Sequence, residues 1–186
     1  MKKIILFLMI SFFTQSFAQV SEFAKIDKVV NEKYSEIQKK YKKKFPIERQ
    51  KEEAELNEFR RESYKNAINF IQKDDVQIDF NSLEKNLTKQ AIFEGGIPSF
   101  RMLFAENFDT SSMEGEKGMI KAILIFVVDE KGKVSNVWAE GEDSDFNQEA
   151  IITFYKISDK GKWNPAEKDG VPVKSVFRMP LTMNFE

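Results

Sequence analysis

The chain of 186 residues lacks two residue types entirely, because it contains no cysteine and no histidine. Disulfides, thiolate nucleophiles, imidazole general bases and the common zinc sites with nitrogen or sulfur ligands are therefore excluded. A phosphate-binding glycine loop is missing too, since Gly95-Gly96 is not followed by the lysine and hydroxyl residue that such a loop requires. We therefore predict a non-enzymatic protein with no catalytic residues, no metal and no cofactor.

An excess of either charge is also lacking, since 29 lysines and arginines stand against 30 aspartates and glutamates. A chain without a strong net field is not drawn to phosphates, so no nucleic-acid partner is expected. Adjacent carboxylates occur at Asp74-Asp75 and Glu142-Asp143, and a glycoside-cleaving pair needs no histidine. Both pairs lie in turn-like, solvated sequence, so an enzyme is the lesser alternative.

The first 18 residues have the pattern of a secretory signal peptide. A basic start is followed by the apolar run Ile4–Phe13 and by small residues at Ser16 and Ala18. The run is about ten residues long, whereas a membrane-spanning helix needs roughly 20. We predict cleavage between Ala18 and Gln19 and export to the periplasm; retention of the segment as a membrane anchor is the alternative.

Residues 19–90 form a charged segment that is predicted to be mainly helical. From Ser21 to Lys44 the apolar residues recur every three or four positions, which indicates an amphipathic helix: Phe23, Ile26, Val30, Tyr34, Ile37 and Tyr41. Pro46 ends this helix, and a second apolar stripe predicts another helix over 47–73, in the order Leu56, Phe59, Ala67 and Phe70. The short break between them favours a helical hairpin.

A lysine run closes the first predicted helix, at Lys39, Lys40, Lys42, Lys43 and Lys44. Lysines in a last turn complement the negative end of the helix dipole, which is the simpler interpretation. Contact with anionic lipid headgroups or envelope polymers is the alternative, and this run is the only membrane contact that the sequence suggests. The sequence leaves the oligomeric state open.

The segment between the helices and residue 91 is less regular. Val76, Ile78 and Phe80 alternate, which fits either a short strand or an extended link. Asn81-Ser82-Leu83-Glu84 has the form of a capping box, so a short helix is predicted through about Gln90.

Residues 91–186 predict an α+β domain. Gly95-Gly96 marks a turn into a helix over 98–107, and the apolar run Met119–Val128 fits a central strand that is covered on both faces. A turn at 129–132 joins it to a returning strand over 133–140, and a helix follows from about Asp145. The elements thus form a helix, a β-hairpin, a second helix and a last strand, in a small antiparallel sheet.

The last strand, from Val173 to Phe185, alternates with a period of two. Pro180 lies inside it and cannot donate a hydrogen bond to a neighbouring strand, so this strand is predicted to lie at an edge of the sheet. Its first part is the candidate partner-binding site: Val173, Lys174, Ser175, Val176, Phe177 and Arg178. An ordinary edge strand, protected from unwanted pairing by its charges and proline, is the structural alternative.

The C-terminal domain, over about 92–186, resembles the carboxy-terminal domain of TonB-type energy transducers. The resemblance lies in an ordered set of motifs: Phe93-Glu94-Gly95-Gly96, Val128-Asp129-Glu130-Lys131-Gly132-Lys133-Val134, Trp163-Asn164-Pro165, Asp169-Gly170, and Pro180 to Phe185. Each motif alone is weak, whereas the complete ordered set is specific. Trp163 and Pro165 are interpreted as a core plug and a strand-entry turn. Glu94 departs from the family, which tends to have proline there.

The resemblance implies a domain that binds an extended peptide or an envelope protein beside its last strand, with an outer-membrane transporter among the candidates. A transducer also needs an anchor and a long stiff spacer, yet this chain has only Pro46 before Pro98. We therefore expect a free periplasmic binding protein. A membrane-anchored transducer for receptor uptake and an assembly protein that oligomerises through its helices are the alternatives.

Overall fold

The computed structural model describes the backbone of residues 2–41, 45–113 and 117–185, and the side chains in these ranges from residue 22 onward, residue 112 excepted. The described part is α+β, with helices α1 (Lys2–Tyr41), α2 (Pro46–Gln72), α3 (Gly96–Asn107) and α4 (Ser144–Ile157). Its strands are β1 (Ile92–Phe93), β2 (Gly118–Val128), β3 (Val134–Gly141), β4 (Trp163–Asn164), β5 (Ala166–Lys168), β6 (Val171–Val173) and β7 (Ser175–Phe185). Over these residues, no helix combines the length and apolarity that a membrane crossing requires.

The chain divides into two compact units, Met1–Ile71 and Gln72–Glu186. The boundary lies well before residue 91, so the segment 72–90 is part of the C-terminal unit and not of the helical one. The predicted signal peptide, with its cleavage site at Ala18 and Gln19, lies outside the residues whose side chains are described.

The N-terminal unit contains the two predicted helices. Pro46 occupies the first position of α2, where its missing N–H costs nothing, and Phe45 before it has a positive φ of 57°. Val30 and Ile37 of α1 pack with Leu56 of α2 in a buried cluster. The periodicity therefore predicted both helices correctly.

Polar contacts hold the two helices at both ends of the hairpin. The Tyr64 hydroxyl donates a hydrogen bond to the Asp27 carboxylate. Gln38 Nε2 donates to Glu53 Oε1 over 2.7 Å, and the Tyr41 hydroxyl donates to Glu52 over the same distance. Residues late in α1 thus meet residues early in α2, as an antiparallel hairpin requires.

The helix predicted over 81–90 is wrong. Only a single 3₁₀ turn forms, Phe80–Ser82, and it is capped by Asp79, whose carboxylate accepts from the Asn81 N–H. The rest is held by contacts with β5: the N–H groups of Thr88 and Lys89 both donate to the Glu167 carbonyl, at 2.9 and 3.1 Å. No strand forms over 74–80: residues 75–79 have no regular secondary structure, and Phe80 already belongs to the 3₁₀ turn.

The main sheet has the order β3-β2-β7, with both pairings antiparallel. Leu124 to Val128 are fully buried in β2, which confirms that this apolar run is the central strand. In β7 the odd-numbered side chains from Ser175 to Phe185 are buried or half-buried, and most even-numbered ones are exposed. The predicted alternation and edge position of the last strand are therefore correct.

Helices α3 and α4 cover one face of this sheet through an aromatic cluster. Phe126 of β2 lies 4.7 Å from Phe154 of α4, and Phe100 of α3 lies 5.1 Å from Trp163, measured between ring centroids. Asp143 caps α4, its carboxylate accepting from the Phe146 N–H over 2.7 Å. The cluster contains one ring from each of six elements, β1, α3, β2, α4, β4 and β7: Phe93, Phe100, Phe126, Phe154, Trp163 and Phe177.

The motif Val128 to Val134 contacts the motif Trp163-Asn164-Pro165 at the β2–β3 turn. Gly132 has a φ of 79°, and a Cβ built on it would lie 2.0 Å from the carbonyl oxygen of Trp163 and 4.0 Å from Pro165 Cδ. The turn therefore packs directly on β4, and only glycine fits there. Trp163 is buried at the same place, which agrees with its interpretation as a core plug.

Candidate functional site

Strand β7 forms one edge of the main sheet. It pairs with β2 over an unbroken one-to-one register from Val128↔Ser175 to Gly118↔Phe185. No other strand of the described residues pairs with its second side. This free side, the β7 edge, offers backbone groups that another chain can reach.

The hydrogen bond at the β2–β3 turn determines which residues of β7 face that edge. The Asp129 N–H donates to the Lys133 carbonyl over 2.9 Å, so the backbone groups of Asp129 are directed toward β3. Because the direction alternates along a strand, Val128, Phe126 and Leu124 direct theirs toward β7. Their register partners on β7 are odd-numbered, so the even-numbered residues face outward.

Pro180 agrees independently with this assignment. It is opposite Ile123 in an unbroken ladder, and a proline can occupy such a position only if its nitrogen is directed away from the neighbouring strand. Val176 and Arg178 therefore present an N–H and a carbonyl each to the open side, whereas Pro180 presents a carbonyl alone. Neither N–H is bonded to any residue that the structure describes.

A groove of about 590 Å³ runs beside this part of the β7 edge. One wall is formed by Val176, Phe177 and Arg178 and the other by Lys89 to Ile92, and Ile97 of α3 also lines the groove. Phe177 packs against the aromatic cluster, since its ring centroid lies 4.8 Å from that of Trp163 and 5.2 Å from that of Phe126. The aromatic cluster thus fixes the position of the groove.

The charged residues in the lining of the groove are basic. Its lining contains Lys89 and Arg178 and no acidic residue. Lys89 is paired with Glu167, at 2.7 Å between nitrogen and oxygen, so part of its charge is offset. Arg178 is exposed and forms no hydrogen bond or ion pair within the described residues.

The structure separates the six residues predicted to bind a partner. Val173 belongs to β6 and pairs with Ala166, and Lys174 lies between the two strands. Ser175 begins β7 but is buried and faces β2. Val176, Phe177 and Arg178 alone line the groove.

The opposite wall of the groove, Lys89–Ile92, had no sequence signal, because the capping box before it indicated a helix. The backbone bonds of Lys89 to Glu167 hold the start of this wall. The segment before it is joined to β5 by the carboxylate of Glu84, which accepts from Lys168 Nζ at 2.9 Å. The hydrogen bond from Lys168 keeps the pKa of Glu84 below its ordinary value. A contact across 84 residues of sequence cannot be read from a local pattern.

A second groove, of about 560 Å³, lies between α1 and α2. Its lining includes three glutamates and two lysines, and Lys40 is hydrogen-bonded to Glu52, which raises the pKa of the lysine. Lys33 lies over the Phe59 ring, 4.4 Å from its centroid. The Lys40–Glu52 pair lies within the groove, whereas Glu55 pairs with Lys51 outside its lining. Lys42–Lys44 of the lysine run lie outside the described residues.

The described residues contain no group of three or more acidic side chains that could hold a metal ion. Tyr155 of the C-terminal unit is buried, and this burial raises the pKa of its hydroxyl. The hydroxyl accepts a hydrogen bond from Gln72 Nε2 over 3.0 Å. This hydroxyl stabilises the start of the unit and lies in neither groove.

No protein-family model matches the chain, and no significant similarity to a curated protein or to a solved structure is found. The geometry of the β7 edge and its groove is therefore the basis on which a function can be proposed.

Proposed function

We propose that this chain is a non-catalytic cell-envelope protein whose C-terminal unit binds an extended peptide or protein segment by strand addition to the β7 edge. The observation that carries the proposal is the pair of unbonded N–H groups at Val176 and Arg178 beside a groove. Strand addition gives affinity through main-chain hydrogen bonds and specificity through neighbouring side-chain pockets. The ordered motifs that resemble the TonB carboxy-terminal domain favour the same role, as does the predicted export signal.

Photocrosslinking in the intact envelope tests this proposal. A photoreactive amino acid at Val176 should capture a defined envelope protein, and an outer-membrane transporter is the first candidate. The matched control places the same amino acid at Thr182, which faces the same edge beyond Pro180 and should capture much less. If Val176 yields no adduct, or both positions yield the same adducts, strand addition at this site fails.

A membrane-anchored energy transducer is the main alternative, and the mature N-terminus separates the two functions. We propose cleavage after Ala18, which leaves a free periplasmic protein starting at Gln19. Mass spectrometry of the purified protein should find that start. An intact Met1, with the chain retained in the membrane fraction, would favour the transducer.

An assembly role through the helices has one observation in its favour. The large apolar side chains of Phe59 and Phe70 of α2 are 44% and 62% exposed. Phe59→Glu should convert an oligomer to a monomer in sedimentation velocity if the helices assemble. A wild-type protein that is already monomeric would remove this alternative.

A further inference from the structure

We infer that the strand that binds the β7 edge is acidic, with a negatively charged side chain opposite Arg178, next to two apolar residues opposite Phe177 and Val176. This inference rests on the proposed strand addition and specifies its ligand. It also fixes the register, since Pro180 interrupts the row of outward N–H groups.

The charge of the β7 edge favours an acidic ligand. Residues 171–185 contain two charged residues, Lys174 and Arg178, and both are positive. Arg178 has no ion-pair partner in the described part of the chain, and the lining of the groove has no carboxylate. Directly opposite residues on neighbouring strands lie close enough for opposite charges to stabilise the pair and for like charges to destabilise it. An acidic residue is therefore favoured there and a basic one disfavoured.

The pleat of the strand gives the second argument. Phe177 pairs with Phe126 and so shares the face of the aromatic cluster, whereas Val176 and Arg178 share the face of Val127 and Ile125. The residue opposite Phe177 therefore enters the apolar side of the groove, near Ala91 and Ile97. On the added strand, the next residue toward Pro180 lies opposite Arg178, and the residue on the other side lies opposite Val176.

Pro180 gives the third argument, because it limits the length of the added strand. The outward N–H groups available before it belong to Val176 and Arg178, and the next one, at Thr182, lies beyond a position that cannot donate. The binding segment is therefore short and pairs with residues 176–178.

The test uses three capped nine-residue peptides, titrated to millimolar concentration against the mature chain. Each contains a Glu-Val-Val, Gln-Val-Val or Lys-Val-Val centre within threonines, so that in antiparallel addition, the orientation of β2 and β7, the first of the three lies opposite Arg178. The Glu peptide should bind about 2- to 5-fold more tightly than the Gln peptide, and the Lys peptide most weakly. In amide hydrogen exchange, the Glu peptide should protect the N–H groups of Val176 and Arg178 but not that of Thr182.

Charge reversal provides the decisive variant. Arg178→Glu should invert the order, so that the Lys peptide binds best, while the exposed position leaves the fold intact. Lys131→Glu makes the same change in net charge at an exposed turn residue outside the groove and should leave the order unchanged. An order that is the same in wild type and Arg178→Glu would overturn the acidic specificity alone. Protection of Thr182 would overturn the register, and no binding by any peptide would overturn the strand addition itself.

Discussion

Gly132→Ala is expected to destabilise the C-terminal unit by about 2–5 kcal/mol. An alanine held at a φ of 79° costs about 1–2 kcal/mol relative to glycine. The added methyl would also lie 2.0 Å from the Trp163 carbonyl oxygen, which is backbone and cannot rotate away. Forcing packed groups apart typically costs a further 1–3 kcal/mol or so.

Gly170→Ala is the matched control for this substitution. Gly170 has a φ of 80°, nearly the same as Gly132, but a Cβ there would have no neighbouring atom within 4 Å. It should therefore show the conformational cost alone, about 1–2 kcal/mol. The difference between the two variants measures how closely the β2–β3 turn packs on β4.

Urea denaturation followed by tryptophan fluorescence measures both variants. The chain has two tryptophans, Trp138 and Trp163, and both belong to the C-terminal unit, so the helices of the other unit do not contribute. If Gly132→Ala loses no more stability than Gly170→Ala, the contact between the turn and the Trp163 strand is wrong.

Three further outcomes are expected. Trp163→Ala should lower the free energy of unfolding by about 3–5 kcal/mol, because it empties the centre of the aromatic cluster; a loss below about 1 kcal/mol by Trp138 fluorescence would contradict a core role. Pro180→Thr restores an outward N–H, so the affinity for the Glu-Val-Val peptide should rise about 2- to 10-fold, and unchanged affinity would argue against the outward orientation of the backbone at residue 180. Glu84→Gln removes the ion pair with Lys168, which contributes fully above the ordinary pKa of 4.5 and is lost as the pH falls through the lower pKa of the folded protein. The difference in Tm between wild type and Glu84→Gln should therefore shrink below pH 4.5, and a constant difference down to about pH 3 would refute this linkage.

Local sequence patterns predicted the elements whose apolar residues repeat with the period of the element or fill it completely. The spacing of Val30, Ile37 and Leu56 could be interpreted directly, because a helix that buries one face must repeat apolar residues with its own period. The run before Val128 was equally clear, since a strand that is buried on both faces needs no polar side chain.

The segment around Glu84 shows where such patterns fail. Its capping box was correct in form, but Glu84 accepts from Lys168 and from the Asn86 N–H instead of capping a helix. Backbone bonds to Glu167 then hold Thr88 and Lys89 in an extended conformation. Tertiary contacts outweighed a local preference worth about 1 kcal/mol, which is all that a cap supplies.

The sequence by itself determined the two helices, the central strand and the edge position of β7, because Pro180 cannot donate within a sheet. It also indicated the region of the candidate site. The tertiary structure decided which of its residues are exposed to a partner: Val173 pairs within its own hairpin, Ser175 faces β2, and Val176 and Arg178 face outward. It alone placed Lys89–Ile92 across from them, since that wall depends on contacts between residues far apart in the chain.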